Sequence, residues 1–362
     1  MNGFIDADTH IVESADIWEY MDKDMYDRRP ILLKAPTDTE YQSSNAFWLI
    51  DGQIYPKSVG KGSARLSTPA EQERQWTRQD IDLGVRQLTD PRARVKELDK
   101  RGAAAEVIYS TLWGVRLTED VDLDVALCRA YNRWMGEVWA QGDNRLRWTA
   151  VFPLTSIEES IKQLHYAKEH GAVGVNMRGI EGDRSLAEPY FFPLYEEASR
   201  LDFPICIHIG AGAPAITSVF DVRVSHTLPH LRMLPLIAFR DLVANRIPDQ
   251  FPGLRFGFVE AGASWVPYLL HQLRRTTRGS DIPIGPELFE KCRMWVVCEV
   301  DEDLPMLLNY IHEDHIMIGS DYGHLDQSFE DNVAGKLRAR DDIPARVVEK
   351  ILDDNARAFY GM

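Results

Sequence analysis

The chain lacks what would take it to a membrane, a nucleic acid or a dinucleotide. No part of its 362 residues approaches the ~20 uninterrupted apolar residues of a spanning helix. Basic side chains are scarce: 41 Lys and Arg face 56 Asp and Glu, a net charge of −15. Phosphate backbones and anionic lipid surfaces call for the opposite balance. The first residues carry no basic stretch ahead of an apolar one, so no secretory signal is read and the protein is expected in the cytoplasm. Gly-x-Gly-x-x-Gly and Gly-x4-Gly-Lys-Ser/Thr are both missing. Gly210-Ala211-Gly212 has no third glycine at the required spacing and reads as a loop. Only Cys128, Cys206, Cys292 and Cys298 are present, without a Cys-x-x-Cys pair, and they read as reduced packing residues.

What is present is a regular alternation. Short apolar runs occur at 3–7, 105–110, 148–153, 173–177, 204–209, 254–260, 294–300 and 315–320. Longer amphipathic stretches lie between them, at 125–140, 156–170, 188–201, 229–245, 265–276 and 303–312, and a last one covers 345–359. Strands separated by helices must run parallel, because only a crossover returns the chain to the same end of a sheet. Continuously apolar strands are covered on both faces. Eight such units predict an α/β protein, a (β/α)8 TIM barrel formed by one domain over 1–362.

Residues 35–80 break the rhythm with Ser, Gly, Pro and charge. Within them, residues 47–55 read as a β-hairpin on the Asp51-Gly52 turn. An insertion after the first strand lands on the face where barrel strands end, so it is expected to be a lid or wall over the mouth.

Polar residues interrupt the runs at their C-terminal ends. These are Asp8 and His10 on the first, His208 on the fifth, Glu260 on the sixth, Glu299 on the seventh, and Asp321 with His324 after the eighth. In a barrel these positions converge. Such a cluster of carboxylates and imidazoles is costly to bury unless a divalent cation joins it. Asp8 and His10 are two apart, so on a strand both reach one ion from the same side.

At these residues the sequence resembles the amidohydrolase superfamily of metal-dependent barrels. The resemblance is to the branch that includes aminocarboxymuconate semialdehyde decarboxylase and the benzoate-type decarboxylases. It is carried by Ile5-Asp6-Ala7-Asp8-Thr9-His10-Ile11-Val12-Glu13, by Pro204-Ile205-Cys206-Ile207-His208, and by the stretch from Phe251-Pro252-Gly253 through Glu260 to Pro267. Ile318-Gly319-Ser320-Asp321-Tyr322-Gly323-His324 and the closing residues 355–360 also match. The resemblance implies a metal site at the C-terminal face of the strands, with Asp8, His10, His208 and Asp321 as ligands. It also implies a divalent Zn, Mn or Fe, one or two ions per chain. The family more often has His-x-His or Glu-x-His on the first strand. The fourth run, ending at Arg178, lacks the lysine that bridges two metals in many members, and the sixth ends in Glu260 where many members have histidine.

Asp321 is the expected catalytic acid–base, with Glu260 and His324 next in rank for proton transfer. His324, His226, His230, Arg178 and Trp113 are the expected substrate-binding residues, Arg178 as a grip for a carboxylate. The first functional expectation is a hydrolase that cleaves an acyl bond (amide, ester or thioester) of a small molecule with metal-activated water. The alternative is a metal-dependent, non-oxidative decarboxylase or hydratase of an aromatic or unsaturated acid. A homo-oligomer is left open; nucleic acid and membrane partners are not expected.

Overall fold

Every one of the eight apolar runs forms a strand. The computed structural model describes residues 3–41, 45–63, 81–225, 232–277, 281–324 and 328–362. In chain order the strands are β1 (Phe4–His10), β2 (Ile31–Lys34), β3 (Ala46–Ile50), β4 (Gln53–Tyr55), β5 (Ala103–Tyr109), β6 (Leu146–Ala150) and β7 (Ala172–Arg178). They continue as β8 (Ile180–Glu181), β9 (Arg184–Ser185), β10 (Ile205–His208), β11 (Phe256–Val259), β12 (Met294–Cys298) and β13 (Ile316–Ile318). One eight-stranded sheet takes the order β1-β5-β6-β7-β10-β11-β12-β13, which follows the chain. Its recorded pairings are parallel. The chain beyond β13 closes it against β1: Asp321 N–H donates to Asp8 O (3.0 Å) and His10 N–H donates to Tyr322 O (2.7 Å). The fold is the expected (β/α)8 barrel.

Inside, Ile5, Ala7, Val107, Tyr109, Cys206, Val259 and Val297 pack with the last turn of the chain, Ala356, Phe359 and Tyr360. That turn plugs the floor. Tyr360 donates its hydroxyl to Ala7 O (2.8 Å), so Tyr109 donates to Tyr360 across their 2.8 Å contact. Gly257 makes room, since a Cβ there would stand 2.3 Å from the Phe359 ring.

The helices follow their amphipathic pattern with local corrections. Val121–Ala140, Ile157–Glu169, Met233–Ala244 and Val266–Thr276 match the expectation. The stretch at 303–312 holds only one α-helical turn, Leu304–Leu307, opened by Pro305 in its first turn and capped by Asp303, whose carboxylate accepts from Met306 N–H (3.0 Å). The closing stretch is helical but passes through a π turn at Lys350–Asp354. An additional helix, Pro91–Arg101, precedes β5. Pro91 opens it, the Asp90 carboxylate accepts from Ala93 N–H (2.9 Å), and Gly102 ends it at φ 70°.

The expected hairpin is present. Asp51 and Gly52 both have positive φ, 50° and 74°, as a two-residue turn requires. β2 adds a third antiparallel strand. The sheet is moored to the segment after β5: Thr118 Oγ1 donates to Asp51 Oδ2 (2.6 Å), and Arg28 reaches both Asp51 and Asp120 (3.0 Å each). Further on, Gly62 N–H donates to Phe220 O (2.8 Å). Residues 42–44 and 64–80 of the expected insertion lie outside the described residues. No helix among the described residues is long and apolar enough to cross a membrane. The four cysteines are buried and unbridged.

Candidate metal centre

β1 is extended to His10, but not uniformly. Its register against β5 slips between Asp6 and Thr9. Strict alternation would send Asp6, Asp8 and His10 to one face. The slip separates them: Asp6 turns to Arg101 on the outer helix, while Asp8 and His10 meet His208. β10 delivers His208 from inside the barrel, and the residues following β11 and β13 deliver Glu260 and Asp321.

These side chains are almost fully buried; none is more than 5% exposed. His10 Nε2 lies 3.3 Å from Asp8 Oδ1, 3.3 Å from Glu260 Oε2 and 3.5 Å from Asp321 Oδ1. His208 Nε2 lies 3.5 Å from Asp8 Oδ1 and 3.1 Å from Glu260 Oε2. Yet Asp8 Oδ1, His10 Nε2, His208 Nε2 and Glu260 Oε2 have no aligned hydrogen-bond partner. Their lone pairs face a shared space rather than one another. Donors held tetrahedrally at ~2.0–2.1 Å from one ion are ~3.3 Å apart, so the observed spacing fits a divalent cation. Two overlapping groups have this character: Asp8, His10, His208 and Glu260; and His10, Glu260, Asp321 and His324.

The charges reinforce one another. Burial opposes an imidazolium at His208, but the negative carboxylates of Asp8 and Glu260 beside it carry its pKa well above 6.5. Burial likewise opposes a carboxylate at Glu260, but His10 and His208 hold it well below its ordinary range. The site calls for positive charge, whether as protons on imidazole or as a metal. His208 is already set for the latter: its Nδ1–H donates to Ile209 O (3.0 Å), which leaves Nε2 as the free lone pair.

Glu260 and Asp321 adopt left-handed backbone conformations, φ 60° and 52°. Non-glycine residues enter this region at a cost of ~1–3 kcal/mol and are held there by their surroundings. Both follow the end of their strand, and both carboxylates reach His10 Nε2, at 3.3 Å and 3.5 Å.

His324 stacks on His10 with centroids 4.0 Å apart. Its Nδ1 meets Asp321 Oδ1 at 2.8 Å and its Nε2 meets Thr111 Oγ1 at 2.8 Å. Thr111, the second residue after β5, was not singled out from the sequence, although Ser110-Thr111 breaks an apolar run as the other site residues do. Glu13 accepts from Ser110 Oγ (2.6 Å) and Leu112 N–H (3.0 Å), which fixes the loop that carries Thr111.

Two of the expected substrate residues, Arg178 and Trp113, line a cavity with Asn176 and Glu181. Arg178 gives Nε to Glu181 (3.0 Å) and Nη1 to the carbonyls of Trp113 and Val115 (2.9 Å each), and its Nη2 also bonds Glu181. Its guanidinium joins the loops after β5 and β7. Trp113 is buried against Tyr131 (5.0 Å) and Trp18 (6.2 Å). His226 and His230 lie outside the described residues.

The comparisons agree with this architecture. The amidohydrolase family model matches residues 5–362. A curated relative, 2-amino-3-carboxymuconate-6-semialdehyde decarboxylase of Dictyostelium discoideum, is 23% identical over 288 residues, 75% of this chain and 77% of the relative. An amidohydrolase of Mycobacterium avium subsp. paratuberculosis K-10 superposes with a TM-score of 0.78 at 17% identity, over 99% of this chain and 98% of that one. The 5-carboxyvanillate decarboxylase of Novosphingobium aromaticivorans, solved with manganese and 4-hydroxy-3-methoxy-5-nitrobenzoic acid, gives 0.68 at 16% identity, over 99% and 96%. The match to the family model covers nearly the whole chain, and the protein belongs to the amidohydrolase family as one of its enzymes.

Proposed function

We propose that this enzyme is a metal-dependent, non-oxidative decarboxylase of a small unsaturated or aromatic carboxylic acid. The observation that carries the reading is the hydrogen-bonded chain Thr111–His324–Asp321 beside the buried donors. The decarboxylases among the relatives support it over the acyl-bond hydrolysis that the sequence reading placed first. Asp8, His10, His208 and Glu260 would hold the cation with Asp321 at its edge, and a divalent ion such as Mn or Zn supplies a Lewis acid that anchors a substrate oxygen.

The remaining chemistry is a proton account. When the bond between the substrate carbon and its carboxylate breaks, CO2 leaves, the electron pair stays on carbon, and a proton must arrive there. Thr111 donates its single hydroxyl proton to Ile11 O (2.7 Å). Toward His324 it can therefore only accept, so His324 Nε2 bears a hydrogen. His324 Nδ1 and Asp321 Oδ1, 2.8 Å apart, then share one further proton, because two lone pairs would repel at that distance. A pair that already holds a proton is set to donate one to carbon. Hydrolysis would need it to accept a proton first. His324 keeps a side-chain exposure of 13%, enough for water to restore the proton after turnover.

The β2–β4 sheet, moored to the segment after β5, serves as one wall of the mouth. The unbridged cysteines fit a reducing, cytoplasmic setting.

The test is to load the purified enzyme with Mn2+ or Zn2+ and offer aromatic and unsaturated acids, 5-carboxyvanillate among them. CO2 release with one deuterium from D2O at the vacated carbon is expected. Ester or amide cleavage with solvent oxygen incorporated and no CO2 formed would overturn the reading. So would native protein with under ~0.1 divalent ion per chain that binds none on addition.

A further inference from the structure

A second buried charged cluster lies behind the donor group. Asp6, Glu106 and Arg94 are each 0% exposed, and the Arg101 side chain is 10% exposed. Two carboxylates and two guanidiniums balance. Arg94 grips Glu106 with both Nε (2.7 Å) and Nη2 (3.0 Å) and reaches His10 O (3.3 Å). Arg101 joins Asp6 (2.6 Å) to Glu106 (2.9 Å). Asp6 in turn accepts from Ser320 N–H (2.8 Å) and from the Ser320 hydroxyl. Both arginines come from helix Pro91–Arg101, outside the barrel.

The cluster meets the catalytic end of the chain at Tyr322. The guanidinium carbon of Arg94 stands 4.2 Å from the centre of the Tyr322 ring, and that of Arg101 stands 4.0 Å from it. A buried aromatic ring contacted by two cations is a strong site for cation–π attraction. The Tyr322 hydroxyl is buried with no hydrogen-bond partner among the described residues, so the ring rather than the hydroxyl is what the fold uses here. Ser320 and Tyr322 are the neighbours of Asp321, whose φ of 52° must be imposed from outside.

We propose that Arg94 and Arg101 are positioning residues, which clasp the Tyr322 ring and tie Ser320 through Asp6 to hold Asp321 in its left-handed turn against His324. The inference rests on Asp321 being the proton donor of the proposed decarboxylation. It also explains why Asp6 leaves the donor group: the slip in β1 frees it to anchor Ser320.

The test compares Tyr322→Leu, which removes the aromatic faces, with Tyr322→Phe, which keeps them. The first readout is amide hydrogen exchange over residues 319–323, where Asp321 N–H is bonded to Asp8 O; it needs no substrate. The second is kcat and KM of the Mn2+-loaded enzyme on whichever acid it decarboxylates, with Mn2+ affinity measured alongside. Tyr322→Leu is expected to exchange this segment about tenfold faster and to lose about tenfold in kcat, while KM and Mn2+ affinity hold. Tyr322→Phe is expected to restore both. Wild-type protection and kcat in Tyr322→Leu overturn the proposal, as does a loss in Tyr322→Phe equal to that in Tyr322→Leu. A structural role alone would lower thermal stability without separating kcat from KM. Should Tyr322→Leu not fold, Arg101→Lys, which keeps the charge but not the planar face, is judged by the same readouts. Should wild type decarboxylate nothing, the functional reading fails while the exchange comparison still decides the positioning.

Discussion

Gly319 offers a direct way to move one donor without touching its chemistry. It lies between β13 and Ser320, and a Cβ built on it would stand 2.4 Å from Asp8 Cβ, 3.1 Å from Asp8 N and 3.2 Å from Asp8 Cα. Ordinary contact begins near 3.4 Å, so Gly319→Ala must part the two backbones by about 1 Å. Neither side gives easily. Asp321 N–H to Asp8 O and His10 N–H to Tyr322 O are the bonds that close the barrel at this point. Overpacking of this kind costs ~1–3 kcal/mol. A donor displaced by about 1 Å no longer matches a ~2 Å coordination bond, and metal affinity is expected to fall on the order of 10- to 100-fold. Titration calorimetry with Mn2+ or Zn2+, with chelator competition for the tighter ion, reads the affinity. Thermal unfolding of the metal-free protein reads the packing cost separately. Affinity within about twofold of wild type, with unchanged unfolding, would refute both the assignment of Asp8 and the rigidity argued for the closure.

Other substitutions separate the roles further. Asp321→Asn should retain bound metal but lose turnover by ~100-fold or more, measured at saturating substrate; unchanged turnover would remove Asp321 as the proton donor. His208→Ala should lose metal by elemental analysis. His170→Ala should not, since His170 bonds Tyr166 O (2.7 Å) and stacks on the Tyr166 ring away from the site. Asp124 offers a pH test. Burial raises its pKa from 3.8 to about 6, against a hydrogen bond from Thr155 (2.7 Å) that lowers it. The folded protein therefore binds this proton more tightly than the unfolded chain, and stability falls as pH rises from ~4 to ~6. Asp124→Asn keeps an acceptor for Thr155 and abolishes the ionisation. Its stability relative to wild type should climb through that window by at most ~3 kcal/mol, read as a pH-dependent difference in Tm. A difference that stays flat from pH 4 to 7 would contradict the burial argument.

The barrel was legible because its strands are covered on both faces, so continuous apolar runs mark all eight. The donors were legible because strand ends converge: Asp8, His10, His208, Glu260 and Asp321 each interrupt or end a run. Their division of labour was not. The sequence reading gave Asp8, His10, His208 and Asp321 as ligands and left Glu260 between proton transfer and holding a second cation. The geometry puts Glu260 Oε2 among Asp8, His10 and His208, with Asp321 turned toward His324. Two backbone events decide this, the slip in β1 and the left-handed turns at Glu260 and Asp321, and neither leaves a glycine or proline to announce it. Helix Pro91–Arg101 escaped notice for a related reason. Its surface is dominated by charge, and its buried residues include Arg94, which pattern reading scores as solvent-facing. Arg178 shows what pattern reading misses at a strand end: its carboxylate partner, Glu181, sits three residues away.

The closure between residues 8–10 and 321–322, together with the Tyr360 plug reaching back to Ala7, has a consequence for biosynthesis. The contact from Tyr360 to Ala7 spans 353 residues. At roughly 5–20 residues per second, the ribosome finishes the segment that seals the floor tens of seconds after releasing Asp8 and His10. Throughout that interval the barrel cannot close at this seam, since the residues that pair with Asp8 and His10 come near the end of the chain. The complete donor set therefore exists only after the C-terminal segment has been made and packed, so the centre is a post-translational assembly.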